Sequence, residues 1–197
     1  YRVDDLTIAP NPIQKPHPPL YFAVSRTPGT IEDAVSRGLP MLTSANTPDE
    51  DVLGLRELYA ARCAEKGVEP QWDNMPFFRV TYVGEDQKTA EEDTRAAMDW
   101  VADLNGYRRT LTGGSEIYAD IENWIKTRPE EPPTFESRLK STAKVGTPDK
   151  VGESIKNLRH IHKVGYYSAH YSYSNLKHDK VMRSMKLFAE EVMPGFE

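Results

Sequence analysis

The segment Ser25-Arg26-Thr27-Pro28-Gly29-Thr30 sets hydroxyls and a guanidinium between an apolar run, Leu20-Tyr21-Phe22-Ala23-Val24, and a helical pattern that begins at Ile31. Such a junction carries the chain from a strand into the amino end of a helix, where unpaired N–H groups favour an anion. Phosphate binding is the chemistry this spacing suits, with Val24, Ser25, Arg26, Thr27 and Thr30 as contacts. Capping of the helix by Thr27, with Arg26 solvated, accounts for the same residues without a ligand. Thr43 and Ser44 close a second apolar run, Leu39-Pro40-Met41-Leu42. Their small polar side chains suit either the rim of a planar-ligand site or a plain turn.

Further along, Tyr166, Tyr167, His170, Tyr171 and Tyr173 form an aromatic segment whose alternate members share a face. It reads as a wall for a ring system or as core filling. His160 and His162, two apart on a predicted helix, point to different faces and do not share a metal. Cys63 reads as a helix-packing residue, and the acidic run from Glu85 to Asp93 as a solvated helix start.

The elements that position these residues alternate in type. Apolar runs predict strands over residues 20–24, 39–44, 77–83 and 166–173. Ile31, Ala34 and Val35 begin a helix that Gly38 ends. Thr47-Pro48-Asp49-Glu50 predicts a capping box for a helix closing at Gly67, and Thr89-Ala90-Glu91-Glu92 predicts another for a helix reaching about residue 104. Thr147-Pro148-Asp149 opens a helix with Val151, Ile155 and Leu158 on one face. A last helix near residues 177–192 carries Val181, Met185, Phe188 and Val192 as its apolar stripe. Residues 105–143 break the rhythm with Gly113-Gly114, Pro129, Pro132 and Pro133, and hold a short helical pattern near residues 117–125. Strands alternating with helices predict a parallel sheet. Four strands read as a small open α/β domain or as half of a barrel, since a closed eight-stranded barrel takes about 250 residues.

Composition narrows the function classes. The 197 residues carry 25 basic and 30 acidic side chains, a formal charge of −5 with no basic run, which argues against nucleic acid. No apolar stretch approaches the roughly 20 residues of a membrane-spanning helix, and none reads as a signal peptide. Cys63 is the only cysteine, so an internal disulfide or cysteine-based metal site is excluded and a reducing, cytoplasmic setting is expected. The chain opens at Tyr1 in a connector containing Pro10, Pro12, Pro16, Pro18 and Pro19, which predicts a preceding segment.

Several segments also carry a family likeness. They are Asn11-Pro12-Ile13-Gln14-Lys15-Pro16-His17-Pro18-Pro19, Arg37-Gly38-Leu39-Pro40-Met41-Leu42, Val145-Gly146-Thr147-Pro148 and, above all, Ser184-Met185-Lys186-Leu187-Phe188-Ala189-Glu190-Glu191-Val192-Met193-Pro194. Their order and spacing resemble the carboxyl-terminal half of the bacterial luciferase-like flavin-dependent monooxygenases, close in pattern to the luciferase alpha chain. By this resemblance the strands are strands five to eight of a (β/α)8 TIM barrel. Residues 1–19 are then a linker, residues 20–197 half of the barrel domain, and residues 105–143 a lid-like insertion before the last βα unit.

The resemblance implies reduced FMN as co-substrate, delivered by a flavin reductase, with O2 oxygenating a small-molecule substrate. It puts Thr27 and Thr30 on hydroxyl positions that hold the FMN phosphate, Arg26 where a glutamate is usual, and Trp100 near an active-site tryptophan position. The family's principal active-site histidine and reactive cysteine belong to the first half of the barrel, so the resemblance implies a missing N-terminal half and a homo- or heterodimer. A deazaflavin oxidoreductase of the same barrel type, or a non-catalytic subunit resembling the luciferase beta chain, are the alternatives.

Overall fold

Short apolar runs separated by amphipathic stretches build an α/β fold of parallel strands in the computed structural model, which describes residues 2, 4–7, 9–25, 28–112 and 133–196. Strand β1 (Phe22–Ala23), helix α1 (Pro28–Ser36), strand β2 (Met41–Leu42) and helix α2 (Asp49–Glu65) form the first two units. Phe22 pairs with Met41 and Ala23 with Leu42. Gly38 and Gly67 end the two helices at φ of 64° and 68°, a left-handed backbone that glycine adopts without strain. Val24, Ile31, Ala34, Met41, Tyr59 and Cys63 pack together beneath them. Burial pushes the Cys63 thiol above its ordinary pKa, as suits a packing residue.

The second sheet has the order β4-β3-β5, with β3 (Pro76–Val83) between β4 (Ala143–Gly146) and β5 (Tyr166–His170). Residues 76–80 of β3 pair with β5 and residues 80–83 with β4, so Val80 alone is paired on both sides. Among the described residues no ladder joins β2 to β3.

Helices α3 (Gln87–Thr112) and α4 (Phe135–Ser141) lie between β3 and β4, and α5 (Pro148–His162) between β4 and β5. The two connections cross the sheet in opposite directions, and right-handed crossovers then put their helices on opposite faces. Val80 and Tyr82 accordingly pack with Ala90 and Met98 of α3 and Phe135 of α4. Phe77 packs with Leu158, and Val83 with Val151 and Ile155, all on α5. No helix among the described residues is long and apolar enough to cross a membrane.

Several sequence expectations need correction. Helix α4 stands where residues 105–143 were expected to form an irregular insert, a fifth strand, β4, follows from Ala143, and α3 continues to Thr112. The short helical pattern at residues 117–125 lies outside the described residues. The expected box at Thr47 does not form: Pro48 precedes α2 without a side-chain cap, and Asp49, Glu50 and Asp51 face the helix dipole instead. Asp86, not Thr89, caps α3, accepting the Thr89 N–H at 2.9 Å. Thr147 caps α5 as expected.

On the last helix, α6 (His178–Leu187), Val181 and Ser184 are buried whereas Met185 is exposed. Ser184 Oγ accepts the N–H of Val83 at 2.8 Å, and a π-helical turn over Phe188–Val192 shifts the register so that Val192 returns to the core.

Asp93 ties α3 to the sheet and to α6, accepting the Tyr82 hydroxyl at 2.6 Å and pairing with Lys180. Burial opposes its charge, but these two donors outweigh it and hold the carboxyl below its ordinary 3.8. A depressed carboxylate contributes stability that is complete above the unfolded value and is lost as pH falls through the folded one. Asp93→Asn should therefore lower stability near neutrality and flatten its decline below about pH 4, as read by urea unfolding at several pH values.

Candidate functional site

The carboxyl ends of β1 and β2 lie side by side. Strand alternation sends Val24 and Thr43 to the face opposite Ala23 and Leu42. Val24 is buried against α1, and its N–H donates to Leu42 O at 2.9 Å, so its side chain belongs to the core. Thr43 is also buried, and its hydroxyl has no hydrogen-bond partner among the described residues. Ser25 and Ser44 are exposed. Ser44 Oγ accepts the Asn46 N–H at 3.2 Å, which supports the turn into α2. Thr30 is half-buried in the first turn of α1, while Arg26 and Thr27 lie outside the described residues.

The aromatic segment of β5 divides between two faces. His170 stacks on Phe78 with ring centroids 5.4 Å apart and meets the edge of Tyr173. Tyr167 and Tyr171 go the other way, onto Phe188. The Tyr167 hydroxyl lies 2.7 Å from Thr81 Oγ1. A cleft of about 700 Å³ opens beside Tyr167, Tyr171, Met185, Phe188 and Met193, with Arg159 at its margin. Burial, and then the neighbouring Tyr167, push the Tyr171 phenol well above its ordinary pKa. Trp100 is exposed on α3. Among the described residues no three His, Cys, Asp or Glu side chains are disposed to hold a metal.

Three buried arginines escaped the sequence reading because their neighbours come from distant segments. Arg79 in β3 donates through Nε to Asp49 Oδ1 at 2.7 Å, and Lys144 of β4 binds the other oxygen at 2.8 Å. Burial lowers the Arg79 pKa, with the Asp49 carboxylate opposing. Arg56 donates to the carbonyls of His162 and Lys163, at 3.4 and 3.2 Å. Arg138 of α4 donates to Pro133 O at 3.2 Å and to the Tyr173 hydroxyl at 3.4 Å.

A family model described as luciferase-like monooxygenase matches residues 1–164. No curated protein matches significantly. Among solved structures, the monooxygenase RslO1 from Streptomyces bottropensis is 23% identical with a TM-score of 0.62, over 93% of this chain and 50% of its own. The oxygenating constituent of 3,6-diketocamphane monooxygenase from the CAM plasmid of Pseudomonas putida, in complex with FMN, is 18% identical with a TM-score of 0.62, over 90% and 48%. The coenzyme F420 dependent tetrahydromethanopterin reductase from Methanopyrus kandleri is 18% identical with a TM-score of 0.57, over 91% and 51%. The likeness is one of fold, and the chain spans about half the length of these structures.

Proposed function

The chain belongs to the luciferase-like monooxygenase family, and from that premise we propose that it is part of a flavin-dependent monooxygenase that uses reduced FMN and O2 to oxygenate a small organic substrate. The observation that carries the reading is the side-by-side placement of the carboxyl ends of β1 and β2, which sets the exposed Ser25 and Ser44 near the first turn of α1. Ligands of parallel α/β folds gather at this end of the strands.

In this reading Ser25, Arg26, Thr27, Thr30 and the backbone at Val24 hold the phosphate, while Thr43 and Ser44 border the ring. The bound flavin supplies the electrons that activate O2. The protein positions it and excludes water, a role we give to residues 105–143 as a lid. β1, β2, β3 and β5 then serve as strands five to eight of a (β/α)8 barrel, with β4 as an added edge strand that follows the insertion. The half-length match supports this arrangement, in which a missing N-terminal half completes the barrel. A flavin reductase supplies the reduced flavin, and the assembly is a homo- or heterodimer.

Thr27→Ala combined with Thr30→Ala should weaken FMN binding to the complete enzyme about tenfold or more, since hydrogen bonds to a charged group are worth about 1.5–3 kcal/mol each. Fluorescence titration reads the affinity and thermal melting reads the fold. A variant that melts early yet binds FMN normally would reduce these residues to helix caps. The fold shared with an F420-dependent enzyme favours a second reading, hydride transfer from a deazaflavin. Tighter binding of deazaflavin than of reduced FMN would decide for it, and absence of binding to either would decide for an accessory subunit.

A further inference from the structure

We draw no further inference here: the strongest candidate, the apolar cleft of about 700 Å³ beside β5, α5 and the π-helical turn at Phe188–Val192, belongs to the face that the proposed half-barrel already leaves to its missing N-terminal half, and nothing in the structure shows what covers it.

Discussion

Asp49→Asn should destabilise the protein by about 3–5 kcal/mol and lower its melting temperature by about 10 °C. The carboxylate spans two buried cations, with Oδ1 on Arg79 and Oδ2 on Lys144. An amide in its place keeps the shape but removes the charge that both cations face. Arg79 cannot relieve the loss by releasing a proton, and its Nη2 already lacks a partner among the described residues in a side chain with no exposure. Urea unfolding supplies the measurement. Replacing all three charges together, Asp49→Leu with Arg79→Met and Lys144→Met, should recover most of the loss, because buried ion groups exchange for apolar ones at little net cost. A triple variant as unstable as Asp49→Asn would show that shape, not charge, makes this joint.

The second large effect belongs to Phe77→Ala, at about 3–5 kcal/mol. Phe77 is fully buried among Val52, Leu158 and Val164, and the Arg79 guanidinium lies 4.1 Å over its ring. The truncation removes a core side chain and one support of the same buried cation. Phe77→Leu, which keeps most of the volume, should cost about 1 kcal/mol. Combined with Asp49→Asn, Phe77→Ala should cost less than the sum of the two, since either change frees Arg79 to move. Strict additivity in that double-mutant cycle would mean that the ring and the carboxylate act on Arg79 independently.

The parts of the fold legible in the sequence were those with local causes. Gly38 and Gly67 end helices through their own backbone freedom, and Thr147-Pro148 starts α5 with its own hydroxyl and ring. What could not be read depended on distant partners. β4 is only Ala143–Gly146, too short for a pattern, and its Lys144 looks like a surface residue until Asp49, far earlier in the chain, accepts it. Thr47 and Thr89 carry the same capping pattern, yet the helices start elsewhere because Pro48 and Asp86 set their first turns. Met185 took the place of Ser184 in the apolar stripe because the later π-helical turn breaks a constant period.

The candidate site divides similarly. Ser25, Thr30, Thr43 and Ser44 were legible as the ends of strands entering helices. The core placement of Val24 followed from a strand too short to show its alternation. Arg138 sits in the charged series Phe-Glu-Ser-Arg-Leu-Lys, which reads as a solvated face. Tyr173, arriving from beyond β5, is what buries it.

The pairing of β3 bears on how the protein survives its own synthesis. Both strand partners of β3 follow residue 142, so the strand must wait unpaired while they are made. From Phe77 to Val83 it consists of aromatic and β-branched residues with one charge, Arg79. About six or seven such residues without a charge suffice to stack into cross-β aggregates. Arg79 is therefore a gatekeeper: the cation that needs Asp49 in the finished fold keeps the nascent strand from pairing with copies of itself. The charge-free triple variant, though repaired as a folded molecule, should accumulate more in inclusion bodies than the natural sequence.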